Sequence, residues 1–311
     1  MRFPMVCFVF AAISVTLAAQ ARAQDAEGAA PPPAPPAQPA PYALPFGLRP
    51  IAAATAVRAE TAYGLDSGAS STVVQYLTAS YAPIEPLSIF ARAGWVDFIP
   101  EGKASSTAFT NVAVGGLWSG RITPELRYSA TLGTGLPVGQ GGGATPNPGE
   151  AAAIAAGNLA RSRFEGATMF SPNDVAPFVG GDIAWVSGGL TLQAEATVFE
   201  LVRVTGSPTD PDATKTSLSM GADAGYFVVP ELSVGVEVRD QSFLTTPAAV
   251  QAGKTARSWV TAGAGVRAHL RLAEHVWLRP GLAFFQPLND PSPTISASSY
   301  HIFQLDVPVT F

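Results

Sequence analysis

From Ile51 to the last residue the chain alternates between apolar and polar positions. Leu232, Val234, Val236 and Val238 alternate with Ser233, Gly235, Glu237 and Arg239, and Leu126, Tyr128, Ala130 and Leu132 with Arg127, Ser129, Thr131 and Gly133. A period of two belongs to strands with one apolar and one polar face. This pattern predicts twelve strands, at 51–63, 72–82, 87–98, 108–119, 125–136, 175–187, 189–203, 216–228, 231–243, 257–270, 275–286 and 299–311. The second and fourth carry the weakest period, since Gln75 shares a face with Leu77 and Tyr81, and a count of ten strands stays open.

The connections alternate as well. Those at 82–86, 121–124, 188–189, 229–230 and 271–274 are short, whereas the ones between them are longer and polar. Short turns at one end and long loops at the other are the arrangement of a transmembrane antiparallel up-and-down β-barrel, in which an even strand count leaves both termini on the periplasmic side. All five tryptophans, Trp95, Trp118, Trp185, Trp259 and Trp277, fall near strand ends, as do Tyr63, Tyr81, Tyr226 and Tyr300, which predicts two interfacial aromatic girdles.

Composition sharpens this reading. Only 13% of residues are charged, yet nothing after Ala23 approaches eighteen consecutive apolar residues. Strands that turn every second residue to lipid reconcile the two facts, whereas a soluble β-sandwich rarely tolerates so few surface charges. At the amino terminus, Arg2, the apolar run Met5–Ala19 and Ala21-Arg22-Ala23 have the form of a cleaved secretory signal peptide, residues 1–23. The one cysteine, Cys7, lies within it, so disulfides and thiol chemistry are excluded from residues 24–311. Without Arg2 and Arg22 the 23 acidic residues exceed the basic ones by seven, a balance that argues against a nucleic-acid partner. Residues 24–50 are rich in proline and alanine and predict a periplasmic linker, which either extends toward a periplasmic partner or folds back into the barrel as a plug. The barrel is assigned to 51–311.

In the last nine residues Phe303, Leu305, Val307, Val309 and Phe311 hold every odd position, with Gln304, Asp306 and Thr310 on the even ones. This terminal strand resembles the carboxyl-terminal insertion signal of Gram-negative outer-membrane β-barrels. The resemblance implies a bacterial outer-membrane location, with lipid and the outer-membrane insertion machinery as partners. In strand number the chain also resembles autotransporter translocators, but the residues before Ile51 are too rich in proline for the helix that threads those barrels.

Carrying each register through places Arg58, Arg92, Arg127, Arg239, Arg267 and Arg279 on the lumenal face, together with Glu60, Asp182, Glu195, Asp223, Glu237 and Asp306. Segregated on opposite walls, these charges would set a transverse field that orients a polar solute; interleaved, they would pair and close the interior. Inward glycines at 94, 133, 135, 221, 225, 235, 263 and 265 imply an open lumen or room for an inserted segment. The longest loop, 137–173, contains Asn147-Pro148-Gly149-Glu150, a helix start with its cap, and a helix is predicted from there to about Arg161. In outline this loop resembles the constriction loop of general porins, and the alternative is a helix lying over the outer mouth.

Signs of catalytic chemistry are sparse. Of the histidines, His275 sits in a short turn, His269 faces the lumen, and His301 has lipid-facing parity near Ser298 and Ser299, without the segment that outer-membrane phospholipases carry there. Asp210-Pro211-Asp212 is interrupted as a calcium loop, and no nucleotide-binding motif or cofactor is implied. The reading is a non-enzymatic pore or channel for small polar or ionic solutes, the charged lumenal residues forming its filter. The alternative is a closed structural or interaction barrel that anchors the linker or presents its outer loops.

Overall fold

The computed structural model describes residues 41–66, 70–160, 166–207, 211–253, 255–292 and 295–311. The signal peptide and the linker as far as residue 40 lie outside the described residues. Fifteen strand segments form one sheet: β1 (Ala56–Asp66), β2 (Ser71–Ile84), β3 (Leu87–Ile99), β4 (Ser106–Phe109), β5 (Val112–Arg121), β6 (Leu126–Leu136), β7 (Asp174–Ser187), β8 (Leu190–Arg203), β9 (Thr214–Val229), β10 (Leu232–Phe243), β11 (Ser258–Ala268), β12 (Leu270–Arg271), β13 (Trp277–Leu278), β14 (Gly281–Pro287) and β15 (Tyr300–Thr310). Three staves are interrupted, β4 with β5, β11 with β12 and β13 with β14, so the segments make twelve staves. Every neighbour is antiparallel, and β15 pairs with β1 from Asp66↔Tyr300 to Ala56↔Thr310, which closes the barrel. Closure satisfies every stave's ladder, the condition for crossing hydrocarbon with strands.

Turns fix the register. Gly188 and Gly189 take left-handed φ values of 56° and 84° between the paired Ser187 and Leu190, a two-residue turn that glycine adopts without strain. Once the register is set, the dyad sorts side chains strictly. Along β15, Phe303 and Leu305 are exposed outside while Gln304 and Asp306 are buried inside. Leu132, Val179 and Val236 stand 67%, 59% and 57% exposed on the outer surface. In water so continuous an apolar surface would drive aggregation; in a bilayer it is solvated by lipid. The protein is therefore a transmembrane β-barrel by architecture. No helix among the described residues is long and apolar enough to cross a membrane.

Two expectations need correction. The first stave begins at Ala56 and not at Ile51, because residues 41–55 are taken up inside the barrel and at its rim. The aromatic girdle is also incomplete: Trp118, Trp185, Tyr63, Tyr81 and Tyr226 do face outward, but Trp259 and Tyr300 are buried on the inner face.

Because the lipid face is set by parity, an arginine there should be penalised by depth. Val236→Arg, at the middle of β10, is expected to cost about 2–4 kcal/mol, and Val228→Arg, near the short-turn end of β9, about 0–1 kcal/mol. Denaturant titration of folding into lipid vesicles checks both values.

Candidate functional site in the lumen

All twelve predicted lumenal charges face inward, and three carboxylate pairs stand directly opposite one another on neighbouring strands. They are Asp182↔Glu195 between β7 and β8, Asp223↔Glu237 between β9 and β10, and Glu60↔Asp306 between β1 and β15. Opposed like charges repel, the more so away from water. The first two pairs make an acidic wall over β7–β10. The third is embedded among arginines on the far side. Arg58 Nε lies 2.5 Å from Asp306 and 3.8 Å from Glu60, Arg92 lies 3.2 Å from Glu60, and Arg267 Nη2 lies 2.5 Å from Asp306. Arg239 sits 3.4 Å from Glu237 and over the ring of Phe285, Arg127 lies 6.0 Å from the ring of Tyr42, and Arg279 bonds Thr310 at the short-turn rim. The charges are thus largely segregated.

What spans the two walls is the end of the proline-rich stretch. Residues 42–51 form a re-entrant strap: Tyr42 and Ile51 meet near the short-turn end, where the Ile51 N–H donates to the Tyr42 hydroxyl, and the tip at Phe46–Leu48 is buried within the lumen. Its peptide groups divide by polarity. Main-chain N–H groups point to the acidic side, Phe46 and Gly47 donating to Glu237 Oε2 at 3.1 and 2.9 Å and Arg49 to Glu195 Oε2 at 2.6 Å. The carbonyls of residues 44–46 point to the basic side, while that of Arg49 accepts from Gln193 Nε2 on β8 at 2.7 Å. Arg267 donates to Leu44 and Pro45 at 3.1 and 3.2 Å, Arg58 to Phe46 at 2.9 Å, and Gln304 to Phe46 at 3.1 Å. The Arg49 guanidinium lies 3.6 Å from Asp182 and 3.4 Å from Glu195, bridging that opposed pair.

The inward glycines accommodate inserted groups, so their lack of side chains does not leave the lumen open. A Cβ on Gly265 would come within 2.6 Å of the Phe46 ring, one on Gly225 within 2.6 Å of Ala43, and one on Gly221 within 2.8 Å of Leu48. Gly94 and Gly133 instead admit the barrel's own Tyr76 and Phe178.

A second insert fills the long-loop half. Within 137–173, α1 (Pro148–Leu159) starts as predicted, with Asn147 Oδ1 accepting from the Gly149 and Glu150 N–H groups, and α2 (Gly166–Met169) follows. The loop folds inward. Ala153, Ile154, Met169 and Phe170 join Val74, Val96, Phe285, Trp259 and Ile302 in one buried apolar cluster that also takes in Phe46 at the strap's tip. Asn111, at the break between β4 and β5, anchors it by donating from Nδ2 to the Thr168 and Ser171 carbonyls and from its N–H to Met169.

Of the other candidates, His269 is buried with Nε2 2.8 Å from Ser233 Oγ, His275 is exposed, and His301 lies on the outer face against Phe284 with Nδ1 2.5 Å from Gln286. Asp210 lies outside the described residues, and Asp212 accepts from the Ala248 N–H at the start of α3 (Ala248–Gln251).

No family model matches the chain, and no curated protein does. Among solved structures it is similar in outline to the NanC porin (7% identity, 82% of this chain, 98% of that one, TM-score 0.49). It is similar too to the COG4313 outer membrane channel from Pseudomonas putida F1 (13% identity, 89% and 99%, TM-score 0.48). A third is the KdgM porin in complex with disordered oligogalacturonate (7% identity, 82% and 99%, TM-score 0.46). Likenesses this distant carry no solute or activity across.

The sequence missed Arg49, because a proline run before it reads as linker. Its strap position can be tested with Leu48→Cys, a fully buried reporter in a chain with no cysteine after residue 7. Removing one partner of a buried ion pair costs about 3–5 kcal/mol. Arg49→Ala should therefore raise the thiol-labelling rate at position 48 by about a hundredfold or more, while Arg121→Ala, at an exposed rim, should leave it unchanged.

Proposed function

We propose that the chain is an outer-membrane channel for small polar or ionic solutes, closed in this conformation by two inserts and opened by their displacement. The observation that carries the proposal is the division of the strap's peptide groups between two charged walls. Those walls are a polar inner surface whose charges water and a solute would satisfy once the strap withdraws. Each of these hydrogen bonds to a charged group contributes about 1.5–3 kcal/mol, an amount that water and a charged solute can offset, so polar seating is compatible with exchange. In this reading Phe303, Leu305, Val307, Val309 and Phe311 form the segment taken by the insertion machinery, and the residues before the strap are where a periplasmic partner would engage.

The apolar cluster of the long-loop half favours the second reading, a closed structural or interaction barrel, because it joins the inserted loop, the strap's tip and the barrel wall in one buried apolar body. Conductance in planar bilayers separates the two. The intact chain should be silent or open only briefly, deletion of 41–52 or of 139–165 should raise open probability, and the double deletion should give steady, discrete steps. A double deletion that still shows heat-modifiable migration on a gel yet passes no current would rule out the channel and leave the scaffold.

A further inference from the structure

Beneath the strap, at the short-turn end, lies a cavity of about 170 Å³. Four arginines line it, Arg49 from the strap and Arg58, Arg92 and Arg279 from the barrel, with Tyr42 and Thr78 among them. Among the described residues no carboxylate lines it. The short-turn half and middle of the wall behind it, from β1, β3, β11, the β13–β14 stave and β15, carry Arg58, Arg92, Arg267 and Arg279 against Glu60 and Asp306 among the described residues, a local excess of two positive charges, with Asp66 at the far, long-loop end of β1. Arg49 is shared with two acids of the opposite wall, whereas Arg279 has no carboxylate within 4 Å among the described residues. The Thr78 hydroxyl is buried and finds no hydrogen-bond partner there. Burying such a group unsatisfied costs about 1–3 kcal/mol, and a buried excess of charge costs more.

We infer that this cavity is a binding site for a small dianion bearing phosphate or carboxylate oxygens. Guanidinium forks match such oxygens in geometry and form charge-assisted bonds with them, and a dianion cancels the excess of two charges on the wall. Thr78 supplies a neutral donor. The site is complete only with the strap in place, because Arg49 and Tyr42 belong to the strap. By linkage, a bound dianion stabilises the seated strap. This inference does not depend on the barrel conducting, since it concerns the closed form.

Calorimetric titration of the full mature barrel with inorganic phosphate, and separately with succinate, at constant ionic strength tests it. Saturable binding of either, one per barrel, is expected; phosphate alone would assign the site to phosphoryl oxygens, and succinate alone to carboxylates. Arg279→Gln should weaken binding about tenfold and Thr78→Val severalfold, with heat-modifiable migration retained, and Arg121→Gln should bind as the parent does. The bound dianion should also slow thiol labelling of the Leu48→Cys reporter. Failure of both dianions to bind, or binding indifferent to Arg279→Gln and Thr78→Val, would overturn the site.

Discussion

Opposed carboxylates on adjacent strands are the constraint that organises the interior. Lipid outside and an even dyad force the charges in the middle of these staves inward, and the register then sets Asp182 against Glu195, Asp223 against Glu237 and Glu60 against Asp306. None of these pairs is tolerable alone in a partly dry lumen. The third has arginines on its own wall. The first two do not have enough, and the strap supplies the difference, with the Arg49 guanidinium on one pair and two main-chain N–H groups on the other. A folded barrel without the strap would have to take in water or counterions to replace it, which links the seating of residues 42–51 directly to whether the lumen is wet.

Proline composition suits this segment for the same reason that it reads as a linker. Pro45 offers its carbonyl to Arg267 without bringing a donor to the basic side. Of the N–H groups that the strap retains, those of Phe46, Gly47 and Arg49 turn to acid, while those of Ala43 and Ile51 meet the Thr191 and Tyr42 hydroxyls. Glycines on β9, β11 and the β14 edge make the depth available, since Gly225, Gly265 and Gly281 are all in contact range of the strap.

Parity was legible in the sequence because a membrane permits only one answer: an ionised side chain in the middle of a stave faces the lumen, and Arg58, Glu60 and Asp306 do. Stave ends were legible from turn residues such as Gly188-Gly189. What could not be read is which inward positions meet protein and which meet water. The second strand looked aperiodic because Val74 and Tyr76, facing the inserted loop, are apolar on the lumenal side while Gln75 shares the outer face with Leu77 and Tyr81. Trp259 and Tyr300 were misassigned to a girdle on the same account, since nearness to a strand end does not distinguish lipid from an apolar plug. Arg49 had no local periodicity to reveal it. A surplus of acids on four consecutive staves, together with the inward glycines beside them, was the available sign that a cationic segment from elsewhere belongs there.

The two inserts differ in what holds them and in where they are tethered, and the difference orders their behaviour. Burial of Ile154, Met169 and Phe170 contributes about 1.5–3 kcal/mol each to the loop's seat, with little polar exchange to offset its loss. The strap buries Phe46 and Leu48 at its tip and Ala43 and Ile51 nearer the rim, and the rest of its attachment is to charged and polar side chains that water would also satisfy. Its selectivity for that seat comes from charge, whereas its net stability rests on these few apolar side chains. Both of its ends lie at the short-turn rim, so it can leave without unthreading a stave, while the loop is tied at both ends to the opposite rim by β6 and β7. Closure is therefore in series, with a polar, charge-registered element on one side and an apolar one on the other. The Phe46 ring, packed on Arg267 and reaching the loop's cluster, is where displacement of either is felt by its counterpart.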